Sequence, residues 1–319
     1  MSNYRRTLRF EQEVEACLES VLAAEANPCT EGGKLPMNAA DPRNNVGEMR
    51  SVSDVTGKGL GRRRIVSLAS GSRANCTLVE CDGTVILVDF GMSCRMTEKA
   101  LADMGITLDD VDAIFITHEH SDHVAGLNTL LRKRDIPVHM TEPSFLAFTR
   151  GKGFEIRDKI TVHPVDYQCE IGGFLVSACS VSHDSAACVS YLITAEGFSF
   201  CSCTDLGFVP DDVLRHVCQA ENVILESNHD ITLLKTGEYP EEIKRRIASK
   251  NGHLSNDQCS SILCKLHKAG VRRVLLAHVS PENNNPELAL ESAILALQNA
   301  GVDFDFIGVA PRLSPIQLL

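Results

Sequence analysis

The stretch Ile114-Phe-Ile-Thr-His-Glu-His-Ser-Asp-His123 decides how this chain is read. Residues 114–117 are apolar or β-branched and read as the end of a buried strand. The next six residues deliver His118, His120, Asp122 and His123. Side chains two apart on a strand point to the same side, so His118 and His120 project together. Asp122 and His123 then fall in the turn that opens the following helix. Three imidazoles and a carboxylate in so short a span have the composition of a site for two adjacent divalent metals. Zinc in catalytic sites takes such donors and keeps an open position for water.

Working outward, the grammar around this stretch is that of a layered α/β domain. The spacing predicts strands at 65–69, 76–81, 84–88, 114–117, 160–163, 173–181, 188–195, 198–203, 222–226, 273–277 and 303–307. It predicts helices at 96–104, 123–133, 143–150, 211–217, 240–249, 256–268 and 287–299. Ser255 with Gln258 forms a capping box, and Gly270 supplies a stop. Asn285-Pro286 opens the last helix and Gly301 closes it.

A hydrophobic strand running into His-x-His-x-Asp-His resembles the metallo-β-lactamase superfamily, over about residues 63–319. The resemblance implies an αββα sandwich, two mixed sheets covered by helices. It also implies further ligands at the ends of later strands. His183 follows 174–181, Asp205 follows 198–203 and His278 ends 274–277. By the family pattern, His118, His120 and His183 hold one metal, Asp122, His123 and His278 hold the second, and Asp205 bridges them. Strand C-terminal ends are where α/β ligand sites collect. Asp89 also ends a strand, and the resemblance makes it an acid that orients a metal histidine rather than a ligand.

Four further segments narrow the branch. Ser67-Leu-Ala-Ser-Gly-Ser72 with Asn75-Cys76, Glu226-Ser-Asn-His-Asp230, Gly252-His-Leu-Ser-Asn256 and Ala277-His-Val-Ser-Pro-Glu-Asn-Asn284 together resemble the YycJ/WalJ-type family of bacterial nucleases. One departure is Arg73-Ala74 before Asn75, where that family usually carries a glycine. The resemblance implies a metal-dependent phosphodiesterase: a 5′ exonuclease on nucleic acid, with DNA favoured over RNA, using water activated by two divalent ions, Zn or Mn. It places Asp122, His253 and Glu226 in the catalytic set. By likeness to tRNA-processing nucleases, His253 protonates the leaving oxygen and Glu226 fixes its tautomer. His229 reads equally well as a phosphate contact or a solvent-facing side chain. The alternative on the same donor set is a small-molecule hydrolase of thioester, glyoxalase or lactamase type. Only 72 residues separate Asp205 from His278, too few for the large insert domain of CPSF- or RNase J-type nucleases.

Charge sets limits on the substrate contact. The chain has 319 residues and a formal charge of −11, which argues against coating nucleic acid by bulk attraction. Residues 235–273 nonetheless carry nine Lys and Arg against four acids, a net +5 flanking His253, and a second basic run is Arg132-Lys-Arg134. Thirteen cysteines without a Cys-x-x-Cys pair read as reduced thiols of a cytoplasmic protein. Cys201 and Cys203, two apart, should share one strand face. No run of about 18 apolar residues offers a membrane span. Residues 1–62 differ in kind: a candidate amphipathic helix over 7–24, then a Gly-, Pro- and Asn-rich stretch to 62. They read as an extension preceding a hydrolase domain at 63–319, with a protein-partner segment as the alternative.

Overall fold

A computed structural model of the chain describes residues 61–319. The helix expected over 7–24 and most of the linker lie outside the described residues. Two seven-stranded sheets lie between layers of helices. The first contains β1 (Arg63–Ala69), β2 (Cys76–Cys81), β3 (Thr84–Val88), β4 (Ala113–Phe115), β5 (Val138–Thr141) and β6 (Ile160–His163) in that order. The second contains β7 (Tyr167–Ile171), β8 (Phe174–Val181), β9 (Cys188–Ala195), β10 (Phe198–Cys203), β11 (Asn222–Glu226), β12 (Arg273–Ala277) and β13 (Phe306–Val309). β14 (Ile316–Gln317) returns to pair with β1 on the first sheet. Both sheets are mixed: β1–β3 and β7–β10 pair antiparallel, while β3–β6 and β10–β13 pair parallel.

Strands buried on both faces read as continuous apolar runs, and their alternate residues feed different cores. Ile65, Val79, Ile86 and Phe115 meet Val176, Tyr191, Phe200 and Leu275 between the sheets. Val66, Leu78, Leu87 and Ile114 face outward under the first helical layer. That layer is α1 (Cys94–Ala102), α2 (Ser121–Val124), α3 (Leu127–Lys133), α4 (Glu142–Phe148) and α5 (Phe154–Arg157). On the far side, α6 (Asp211–Val217), α9 (Asn256–Lys268) and α10 (Pro286–Ala300) cover Cys201, Cys203, Val223 and Leu276. Cys201 and Cys203 thus share one face, as their spacing predicts. Between β11 and α9 run α7 (Ile231–Thr236) and α8 (Glu241–Ile247), and α8 buries none of its residues.

This is the expected αββα sandwich, with local differences. The helix expected over 123–133 is two helices, α2 and α3, with Gly126 between them. A Cβ on Gly126 would stand 2.1 Å from the carbonyl oxygen of Met92, so the chain turns where it presses on that loop. The short strand β5 and the helices α5 and α7 carry too little apolar period to be read in advance, and β7 alternates over only five residues. The strand expected at 303–307 begins three residues later, at Phe306.

Candidate metal centre

The strand ends converge on one point. Asp89 lies just past β3, His118 past β4, His183 past β8, Asp205 past β10 and His278 past β12, while Glu226 ends β11. Asp89, Asp205 and His278 hold positive φ values of 64°, 61° and 56°. Non-glycine residues rarely adopt that left-handed backbone, and where they do the surrounding structure must enforce it. Here it turns each side chain off its strand toward the same centre.

The imidazoles crowd together. The His118 ring lies 4.6 Å from that of His120, 5.1 Å from His183 and 4.1 Å from His123. His118, His120 and His183 bring one donor atom each within 4.8 Å of one another, and so do Asp122, His123 and His278. Asp205 sits between these triads. Its carboxylate oxygens lie 3.4 Å from His123 Nε2, 3.5 Å from His278 Nε2 and 3.9 Å from His183 Nε2. All seven predicted ligand residues therefore come together.

Behind the imidazoles, other groups take the Nδ1 atoms and turn Nε2 inward. Asp89 Oδ2 lies 2.8 Å from His123 Nδ1, and Asp89 Oδ1 accepts from the Thr117 backbone N–H at 2.8 Å. The Thr117 hydroxyl lies 3.1 Å from His118 Nδ1, and the Gly252 carbonyl 3.2 Å from His183 Nδ1. Asp89 is thus placed to orient His123, the role that the family resemblance implies.

The Glu226 carboxylate holds four partners with its two oxygens. Its Oε1 stands 2.7 Å from His253 Nδ1 and 2.8 Å from His278 Nδ1. Its Oε2 accepts from the backbone N–H groups of Leu206 and Leu254, each at 3.1 Å. Burial alone would raise Glu226, but the His253 and His278 rings hold it down at about 2. Burial likewise opposes ionisation of Asp122 and Asp205, and the facing imidazoles overcome it, so both carboxyls stay below the usual range. Desolvation lowers His118 and His183. It also acts against protonation of His123 and His278, yet the carboxylates around those rings raise both.

The donor set fits a divalent cation. His118 Nε2, His278 Nε2 and Asp205 Oδ2 are buried without a hydrogen-bond partner. An unsatisfied buried polar atom costs roughly 1–3 kcal/mol, a penalty that ligation of an ion removes. No thiolate belongs to these groups, so nitrogen and oxygen donors alone define the preference.

A profile of the beta-lactamase superfamily domain matches residues 84–279. Exodeoxyribonuclease YycJ of Bacillus anthracis is 35% identical over 73% of this chain and 89% of its own length. Exodeoxyribonuclease WalJ of Streptococcus pneumoniae is 33% identical over 76% of this chain and 93% of its own. The chain belongs to the YycJ/WalJ family of the metallo-β-lactamase superfamily. Solved structures agree on the fold: YhfI from Bacillus subtilis aligns with a TM-score of 0.57 at 16% identity, over 80% of this chain and all of its own. The short form of human tRNase Z aligns at 0.55 and 18% identity, over 80% of this chain and 99% of its own. This is the fold and donor set of a metal-dependent hydrolase.

Within this YycJ/WalJ-family chain, several residues position the cluster in ways that reading the sequence did not assign. Asn75 Nδ2 lies 3.1 Å from Asp122 Oδ2 and 3.0 Å from His123 Nε2, and Asn75 N–H donates to the Asp122 carbonyl at 2.8 Å. The Arg73-Ala74 departure leaves this intact, because Ala74 N–H still closes the turn on the Gly71 carbonyl at 3.0 Å. Ser70 Oγ accepts from His278 N–H, and Asn228 Nδ2 donates to the His278 carbonyl, both at 2.8 Å. Asn284 ties Asn228 to Asn256 beneath the site. The signal available beforehand was the density of short polar residues at strand ends. His229 is buried at 2% exposure, which removes the solvent-facing reading. Among the described residues, no helix is long and apolar enough to cross a membrane.

Proposed function

We propose that this chain is a nuclease that hydrolyses phosphodiester bonds of DNA from a 5′ end, with two divalent ions at the strand-end cluster. The observation that carries the reading is the Glu226–His253 pair, 2.7 Å between heavy atoms, set beside the His/Asp donors. His118, His120 and His183 would hold one ion, and Asp122, His123 and His278 the other, with Asp205 shared. Zn²⁺ and Mn²⁺ both suit such donors. When bound, the ions would supply a water of lowered pKa and offset charge on phosphate oxygens.

The remaining work belongs to the protein. Glu226 takes the Nδ1 side of His253, leaving Nε2 as the atom that can give a proton to the leaving oxygen. Asp122 stands in both sets: it would hold an ion with His123 and His278, and its ionised carboxylate would orient the attacking water. The backbone N–H groups on Glu226 Oε2 keep that carboxylate from turning away. The loop carrying His253 is fixed by its N–H donating to the Ile247 carbonyl at 2.9 Å. Exposed basic residues of α8, beside this loop, provide local attraction for a polyanion that the net charge of −11 does not.

The relatives named exodeoxyribonuclease support DNA over RNA and over a small molecule. A hydrolase of thioester, glyoxalase or lactamase type would use Glu226 behind His278 but would not need His253 on the same oxygen. Residues 63–319 are proposed as the hydrolase domain and 1–62 as an extension through which a protein partner could bind. Location in the cytoplasm is proposed from the free thiols of the eleven described cysteines. Turnover of bis-p-nitrophenyl phosphate beside a thioester tests the class. Metal-dependent phosphodiester cleavage supports the reading, and thioester cleavage alone overturns it.

A further inference from the structure

One flank of the cluster carries contacts that the proposed chemistry does not use. Asp184 follows His183, and its two oxygens face opposite ways. Oδ1 lies 3.4 Å from His183 Nε2, and Oδ2 lies 2.6 Å from Arg246 Nε. Arg246 belongs to α8 and its side chain is 59% exposed. One carboxylate therefore tethers an accessible guanidinium beside the donor cluster.

The loop after α8 continues the same flank. The Ser182 hydroxyl bonds Asn251 Oδ1 at 2.7 Å, and the Gly252 carbonyl faces His183 Nδ1. Gly207, two residues after Asp205, packs so closely that a Cβ there would stand 2.3 Å from the Lys250 carbonyl oxygen. The next residue, Phe208, is half-buried, and Lys250 Nζ sits 5.6 Å from its ring centroid. Arg246 and Lys250 are four residues apart, Lys250 lying just past the end of α8, and the Lys250 ammonium faces the half-buried Phe208 ring.

We propose that Arg246, Lys250 and Phe208 form a nucleotide subsite, in which Arg246 takes a phosphate next to the scissile one and Phe208 stacks the attached base. A guanidinium fork matches two phosphate oxygens, and a tethered side chain loses less freedom on binding. Stacking is indifferent to base identity, because every base offers a π-face. Lys250 adds a second cation for the backbone on the same side. Asp184 is a positioning residue here: it aims Arg246 rather than touching the nucleic acid. This subsite rests on the nuclease reading and goes beyond it by naming what grips the strand end.

The test uses the full chain loaded with Mn²⁺ and two single-stranded DNA oligomers. They are identical except that one carries an abasic residue in place of the terminal nucleotide. The wild-type protein should show a kcat/KM about tenfold higher on the base-bearing strand. Phe208→Leu should bring that ratio close to one, and Phe208→Tyr should restore it. Arg246→Ala should flatten the fall of log kcat/KM with log salt by about 0.7, the slope of one single-strand phosphate contact, while Arg246→Lys keeps it. A wild-type ratio in Phe208→Leu, or a wild-type salt slope in Arg246→Ala, overturns the subsite. Cleavage by the wild-type protein without any base discrimination removes the subsite alone. Absence of nucleotide release from either strand removes the nuclease reading with it.

Discussion

Oε1 of Glu226 stands 2.7 Å from Nδ1 of His253, inside a carboxylate that is fully buried. The same oxygen lies 2.8 Å from Nδ1 of His278. One charge therefore joins the histidine proposed to donate a proton to a histidine proposed to hold an ion.

Glu226→Gln should therefore lose two functions at once. Phosphodiester turnover should fall by about 10²–10⁴, the range for a general acid that loses its proton state and orientation. Affinity for the ion at His278 should fall by about 10–100-fold, the usual cost of removing a carboxylate behind a ligand histidine. His253→Ala should match the loss of turnover while retaining metal. The double variant should be little worse than Glu226→Gln alone, since the two act as a unit. Steady-state kinetics and metal analysis on the three proteins check this, and additive losses would count against the coupling.

Asp205→Ala should lose bound metal outright. Its oxygens approach His123, His278 and His183 and so reach both triads, whereas Asp122 approaches His123 and His278 on one side and Asp184 approaches His183 on the other. Elemental analysis after dialysis reads the outcome. Full retention of two ions per chain would show that Asp205 does not bridge.

Gly91→Ala should damage the site without touching a candidate ligand. A Cβ at Gly91 would fall 1.6 Å from the Asp122 carbonyl oxygen and 2.7 Å from the Asn75 backbone nitrogen. The loop bearing Asp122 and His123 must then move. Overpacking of this kind costs about 1–3 kcal/mol. A lower thermal midpoint together with weaker metal binding is the expected result. An unchanged midpoint would show that the loop yields freely.

A pH effect should arise away from the metal centre. His139 Nδ1 lies 2.9 Å from His163 Nε2, its ring stacks on Phe115 at 4.7 Å, and His163 in turn stacks on Tyr167 at 3.9 Å. Burial first, and the neighbouring His163 second, push His139 down to about 4 from an ordinary 6.5. The unfolded chain then binds a proton before the folded one does. Stability from this group is intact above the ordinary value and is lost as pH falls toward 4, then levels off. Urea midpoints at pH 7 and pH 4.5, measured for the wild-type protein and His139→Leu, should show a smaller acid loss in the variant. Equal losses would assign the acid sensitivity elsewhere.

Much of the site was legible because strand ends in this fold are written in short, contiguous code. His118, His120, Asp122 and His123 sit in one stretch, and His183, Asp205 and His278 each close an apolar run. The layers were legible for the same reason: β1, β2 and β3 are short and mostly apolar on both faces, with Arg64 paired to Glu80 as a buried exception. What could not be read depends on packing between distant segments. The approach of Gly91 to Asp122 joins two loops 31 residues apart, and no local pattern announces it. The left-handed backbone of Asp89, Asp205 and His278 is likewise enforced by tertiary contacts such as Ser70 Oγ on His278 N–H. β7 alternates apolar and polar over Tyr167-Gln-Cys-Glu-Ile171, but a single five-residue run at a sheet edge is too short to stand apart from a loop.

If the strand-end cluster makes this chain a metal-dependent nuclease, turnover must follow the metal. The most direct measurement strips the full-length protein of metal with a chelator, restores Mn²⁺ or Zn²⁺, and follows end-labelled single-stranded DNA with 5′-phosphate ends. Nucleotides should be released progressively from the 5′ end only after metal is restored, and His253→Ala should abolish most of that release while still binding metal. DNA left intact by the metal-restored wild-type protein, or cleaved equally well by His253→Ala, would contradict the account.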